Sequence, residues 1–119
     1  MKVFTDGSLT KIAYVFVGEH GKIGQGIIAL SDKPTVNEAE YQAVIAALLA
    51  AEALGTREIE LYSDSQLMIR QLQGTYVTNN LRLQALRNKV LALAEKFEQV
   101  EWYWLPREEN LAGHLLEDK

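Results

Sequence analysis

The chain has no cysteine and only two histidines among its 119 residues. Without cysteine there is neither a disulfide framework nor a thiolate site for zinc or an iron–sulfur cluster. Two histidines are too few for a histidine-rich metal centre, so any cation must be held mainly by oxygen, which suits Mg²⁺ or Mn²⁺. No apolar run reaches the ~18 residues of a membrane span, and the chain enters a strand pattern directly, with Lys2 its only early positive residue. Neither a span nor a secretory leader is expected, and a cytoplasmic location follows. Repeats, linkers and low-complexity stretches are also lacking, so residues 1–119 read as one domain, large enough at 13.4 kDa to bury a core.

Acids are missing from one long stretch. The net charge is −4, which argues against nucleic-acid binding by overall charge, yet no Asp or Glu occurs between Ser65 and Ala94. That segment carries Arg70, Arg82, Arg87 and Lys89, with acids on both flanks. It is either a solvated basic helix face or a local phosphate-binding surface.

Strand periodicity covers residues 2–6, 12–18 and 22–30, linked closely enough to form an antiparallel meander, with a hairpin at Gly18-Glu19-His20-Gly21. The period then changes. Tyr41, Val44, Ile45, Leu48 and Leu49 predict a helix over 38–54 that stops at Gly55. A fourth strand is expected at 58–62, a short helix at 65–73 ending before Gly74, and a longer helix at 80–97 with Leu83, Leu86, Val90, Leu93 and Phe97 on one face. A fifth strand at 100–105 stops at Pro106, and 107–117 reads as a last short helix. Trp102 and Trp104 on the fifth strand are expected to face the core and helices. The sum is an α/β domain with a mixed five-stranded sheet flanked by helices.

Three acids stand where strands end or a helix begins: Asp6 in Phe4-Thr5-Asp6-Gly7-Ser8, Glu40 in Asn37-Glu38-Ala39-Glu40-Tyr41, and Asp64 in Tyr62-Ser63-Asp64-Ser65-Gln66. Singly, Asp6 could open a turn with Gly7 and Asp64 could cap the following helix. Together they form a candidate divalent-metal site, because buried carboxylates demand a cation or a proton.

These segments, with Gln71-Leu72-Gln73-Gly74, Tyr76 and Trp104-Leu105-Pro106-Arg107-Glu108-Glu109-Asn110, resemble ribonuclease HI of the compact archaeal and bacterial type, over essentially the whole chain. The resemblance implies a ribonuclease H-like fold with strand order 3-2-1-4-5. It also implies hydrolysis of the RNA strand of RNA–DNA hybrids, leaving 5′-phosphate and 3′-hydroxyl ends, at a centre of two Mg²⁺ or Mn²⁺ ions held by four acidic side chains. Asp6, Glu40 and Asp64 match three of the four. Ser8, Asn37 and Gln66 match groups that read 2′-hydroxyls, although Ser8 and Asn37 also suit turn and cap roles. Tyr76 would stack on or support the DNA strand, or pack under its own loop. The basic handle of longer members is absent, so hybrid affinity should be modest and salt-sensitive, resting on Arg70, Arg82, Arg87 and Lys89.

The fourth acid departs from the pattern. Four residues beyond Asn110, where the family has Asp, stands His114, preceded by Gly113. As a ligand, His114 would favour Mn²⁺ over Mg²⁺, and it could instead pass a proton to the leaving 3′ oxygen or lie idle on the surface. Glu117 and Asp118 lie off register, about one helical turn further on, and could substitute for the fourth acid only if the last helix is short or mobile. Three other functions fit the same residues: a hybrid- or protein-binding module that has lost its chemistry with the fourth carboxylate, a different nuclease of this fold superfamily, and a purely structural α/β domain. A monomer is expected.

Overall fold

Gly7 lets the first strand and the first helix touch. A Cβ at this position would stand 2.5 Å from the backbone carbonyl carbon and oxygen of Ala39 and 2.8 Å from the nitrogen of Glu40. The computed structural model describes residues 1–117. In chain order the elements are β1 (Lys2–Gly7), β2 (Lys11–Gly18), β3 (Gly21–Ala29), α1 (Val36–Ala53), β4 (Glu58–Ser63), α2 (Gln66–Gln73), α3 (Leu81–Ala94), β5 (Gln99–Trp104), a 3₁₀ turn (Arg107–Glu109) and α4 (Leu111–Glu117).

The sheet runs β3-β2-β1-β4-β5, with β1, β2 and β3 antiparallel and β4 and β5 joining in parallel. This is the expected order. Parallel pairing of β1 with β4 aligns Phe4 with Tyr62, and continuing that register by two residues brings Asp6 beside Asp64. The topology alone therefore gathers two of the three acids at one end of the sheet.

Alternation along the strands divides the core between the two faces. Val3, Phe16, Ile59 and Leu61 join Tyr41, Val44, Leu48, Met68, Ile69, Leu72, Leu83 and Val90 from α1, α2 and α3. Phe4, Ala13 and Val15, together with Leu105 just after β5, join Ala112 and Leu116 of α4 on the opposite face. Ala39, Ala43, Ala47 and Ala51, four residues apart on α1, are all fully buried and form a smooth stripe that lies close to its neighbours. Leu49, expected on the buried face with Tyr41, Val44, Ile45 and Leu48, is exposed while those four are buried, because the alanines complete the inward face and leave Leu49 beyond its edge.

Several boundaries move, each for a local reason. α1 begins at Val36, two residues early, because Thr35 forms a capping box with Glu38: Thr35 Oγ1 accepts from Glu38 N at 3.1 Å and Glu38 Oε1 accepts from Thr35 N at 2.8 Å. α3 starts after Asn80, whose Oδ1 accepts from the nitrogens of Arg82 and Leu83, and it ends at Ala94. Phe97 is buried from beyond the helix. The expected single helix over 107–117 is split by Asn110, which adopts an extended backbone (φ −84°, ψ 105°).

Asn110 is fully buried, and both ends of its amide are used: Nδ2 donates to Thr5 O at 3.0 Å and Oδ1 accepts from Ala112 N at 3.1 Å. One side chain thus caps α4 and ties it to β1 next to Asp6. Replacing Asn110 by Ala strands a buried carbonyl and an uncapped amide, and should cost about 1–3 kcal/mol. Denaturant unfolding of the metal-free chain checks this; an unchanged midpoint would contradict the tie.

Candidate metal centre

The strand ends and the start of α1 converge on a cleft of about 280 Å³ lined by Asp6, Gly7, Ser8, Val36, Glu40, Asp64, Arg107, Gly113, Leu116 and Glu117. One carboxylate oxygen from each of Asp6, Glu40 and Asp64 lies within 4.8 Å of the others. Neither of the ordinary duties open to the aspartates is what they do. Asp6 is still inside β1, opposite Ala13, and the turn after it is made by Ser8, whose Oγ donates to Lys11 O and accepts from Lys11 N. The cap of α2 is Ser65, whose Oγ accepts from Met68 N, so Asp64 is released from capping.

Glu40 is buried, and its Oε1 accepts from Gly7 N at 2.8 Å. That single backbone bond does not offset the surroundings. Burial, followed by repulsion from Asp6 and Asp64, pushes the Glu40 carboxyl up to about 9. Burial and the Asp64 charge push Asp6 up to about 6, while Gly7 and a bond from protonated Glu40 pull the other way. The centre therefore holds protons where it lacks cations. An all-oxygen donor set crowded this closely fits hard divalent ions, which would replace those protons.

The sign of the pH dependence follows. As pH rises, the unfolded chain loses the Glu40 proton near the ordinary 4.5, whereas the folded chain keeps it until about 9. Between those values the unfolded state binds fewer protons, so stability falls with pH. The metal-free chain should melt at steadily lower temperature from about pH 5 to about pH 9, with a loss on the order of a few kcal/mol. Saturating Mg²⁺ should flatten the trend. Melting curves with chelator and with Mg²⁺ check it, and a metal-free melting temperature that rises across this range would contradict it.

His114 does not join the group. It is exposed on α4, outside the carboxylate cluster and absent from the cleft lining, where Gly113, Leu116 and Glu117 stand instead. The count of four residues beyond Asn110 that the resemblance supplies points to it, but of α4 only Gly113, Leu116 and Glu117 line the cleft. Asp118 lies outside the described residues.

Of the other candidates, only Ser8 belongs to the cleft lining. Asn37 and Gln66 are exposed in the first turns of α1 and α2, with the caps supplied by Thr35 and Ser65. Arg70 donates through Nη1 to the Tyr76 hydroxyl at 2.6 Å and lies over its ring, 5.1 Å from the centroid. Arg87 Nε donates to Gln71 O at 2.7 Å and joins α3 to α2. Arg82 pairs with Glu38 at 3.8 Å, and Lys89 is exposed. Of the Gln71-Leu72-Gln73-Gly74 segment, Gln71 accepts from the Tyr41 hydroxyl, Gln73 donates to Trp102 O, and Gly74 closes α2 at φ 84°.

Two residues of the site escaped the sequence reading. Trp104 is 48% exposed, not core, and its indole N–H donates to Asp64 O at 3.2 Å. It sits at the end of an edge strand, beyond the helices that cover Trp102. Arg107 lines the cleft and its charge pulls Asp6 downward; its place in a conspicuous motif was the available signal.

The family model described as Reverse transcriptase-like matches residues 3–117. Ribonuclease HI of Halobacterium salinarum is 36% identical over 113 residues, 90% of this chain and 56% of that protein. The bifunctional protein Rv2228c of Mycobacterium tuberculosis is 31% identical over 98 residues, 82% of this chain and 27% of that protein. The chain thus spans little more than half of the first relative and about a quarter of the second. Among solved structures, RNase H1 from Halobacterium salinarum aligns with a TM-score of 0.89 at 32% identity, covering 99% of this chain and 98% of that one. LC11-RNase H1, solved in complex with RNA/DNA hybrid, aligns with a TM-score of 0.85 at 25% identity, covering 92% and 88%. The chain belongs to the reverse transcriptase-like family, and its resemblance to ribonuclease HI, carried first by five short motifs, holds in both sequence and structure.

Proposed function

We propose that this chain is an endoribonuclease that hydrolyses the RNA strand of RNA–DNA hybrids, leaving 5′-phosphate and 3′-hydroxyl ends. The observation that carries the reading is the convergence of Asp6, Glu40 and Asp64, from β1, α1 and the end of β4, within 4.8 Å in an open cleft. A relative of the same fold was solved with a hybrid bound.

Asp6, Glu40 and Asp64 would hold two divalent ions, Mg²⁺ or Mn²⁺. Bound there, the ions supply the charge that activates a water for in-line attack on the phosphodiester and stabilises the departing oxygen. Asp6, at the end of the central strand, would serve both ions. Glu40 is fixed by the Gly7 amide, so its carboxylate needs little reorganisation. Ser8, which lines the cleft, and Asn37 and Gln66, exposed in the first turns of α1 and α2, would meet 2′-hydroxyls, the feature by which RNA differs from DNA. Arg70, Arg82, Arg87 and Lys89 would meet phosphates, and since three of them already have protein partners, their grip is modest. Hybrid affinity should therefore fall with a log–log salt slope of about −2 or steeper, checked by fluorescence anisotropy; a flat line would contradict this.

A single domain over residues 1–119, monomeric and cytoplasmic, suits this activity. One continuous sheet spans the described residues, and none of their helices is long and apolar enough to cross a membrane. The test is a substrate panel with each strand labelled separately. The hybrid should be cut in its RNA strand alone, with double-stranded DNA untouched. Binding of hybrid without cutting would favour a binding module, and equal cutting of DNA strands a different nuclease.

A further inference from the structure

At the position where ribonuclease HI-like chains have their fourth carboxylate this chain has His114, and α4 itself indicates what takes its place. Asn110 anchors the helix to Thr5 beside the cleft. Three residues on, Gly113 comes so close to the centre that a Cβ there would sit 3.3 Å from Asp6 Oδ2. The helix stripe facing Asp6 thus passes through position 113. Position 117, four residues later, shares that stripe, whereas position 114 is turned about 100° from it. The lining of the cleft agrees: Glu117 belongs to it together with Asp6, Glu40 and Asp64, and His114 does not. Glycine at 113 puts no side chain of its own in front of Asp6.

The Glu117 carboxylate is only lightly engaged. Its partner is Arg107, with Nη2 and Oε1 3.4 Å apart and side chains 73% and 60% exposed. Ion pairs this open to water are weak and easily exchanged. Arg107 lines the same cleft, so the pair holds the carboxylate at the rim of the centre without burying it.

We infer that Glu117, not His114, supplies the fourth acidic group of this centre, its carboxylate giving up the pair with Arg107 to hold the divalent ion on the open side of the cleft. The inference rests on the reading of the site as a divalent-metal hydrolase. A carboxylate brings the negative charge that a hard cation needs and a neutral imidazole lacks.

The test is Mn²⁺ titration by calorimetry on the whole chain, alone and with an uncleavable 2′-fluoro RNA–DNA hybrid, for the wild type, Glu117→Gln, Glu117→Asp and His114→Ala. The wild type should take two ions in at least one condition. Glu117→Gln should keep the first ion and weaken the second about tenfold or more, Glu117→Asp should recover part of the loss, and His114→Ala should titrate like the wild type. Melting curves establish that each variant is folded, and Glu117 is exposed enough for its amide to be tolerated. Unchanged binding in Glu117→Gln, loss of the second ion in His114→Ala, or a single ion in the wild type under both conditions would overturn the inference. Failure of the hydrolase reading looks different: Mn²⁺ binding would still depend on Glu117 while a cleavable hybrid stayed intact.

Discussion

Replacing Asp6 by Asn should reduce hybrid cleavage by about 10³-fold or more, some 4 kcal/mol of barrier, while making the metal-free chain harder to melt. The two effects share one cause. Asp6 carries charge at the end of the central strand, beside Glu40 and Asp64, and both its own carboxyl and that of Glu40 are pushed above the ordinary range by burial and by their neighbours. An amide of the same shape removes one of these charges, so the folded state is relieved of repulsion. It also removes the carboxylate that, on the proposed reading, would serve both ions. Steady-state cleavage in Mg²⁺ and thermal melting in chelator measure the two sides independently. Loss of activity with a lowered melting temperature would mean that Asp6 is chiefly a structural residue. Retention of a tenth or more of the activity would remove it from the metal centre.

Gly7→Ala should damage both stability and activity, without touching any charge. The added methyl would overlap the backbone of Ala39 and Glu40, at 2.5 and 2.8 Å, where no rotamer change relieves the clash. β1 and the first turn of α1 must separate, at a cost of about 2–3 kcal/mol. The same movement stretches the bond from Gly7 N to Glu40 Oε1 and draws Glu40 away from Asp6. A shift of about 1 Å in a catalytic group costs about 10²-fold in rate. Denaturant unfolding and cleavage at saturating Mg²⁺ check both parts; a variant with normal activity would mean that Glu40 is not held through β1.

Much of this was legible in the chain because the signals were local. Turn residues and period changes located the five strands and the helices, and carboxylates at strand ends marked Asp6 and Asp64. What was illegible depended on contacts made across the fold. The inward alanine stripe of α1 is invisible to a search for bulky apolar periodicity, which is why Leu49 was placed inside. The fourth position, counted from Asn110 by the spacing of the family, falls on His114; that the cleft is lined by Gly113, Leu116 and Glu117 depends on how α4 is tied to β1 through Asn110 and Thr5, which no count along the chain shows. Trp104 reads like its neighbour Trp102 by alternation, but nothing in the alternation shows that the helices stop short of the strand's end.

The most direct test of the central claim is cleavage of a hybrid labelled in its RNA strand, compared in Mg²⁺, in Mn²⁺ and in chelator, with Asp64→Asn as the blank. Asp6, Glu40 and Asp64 acting as one metal centre predicts RNA cleavage that requires a divalent ion and vanishes in the variant. Cleavage that persists in chelator or in Asp64→Asn would contradict it.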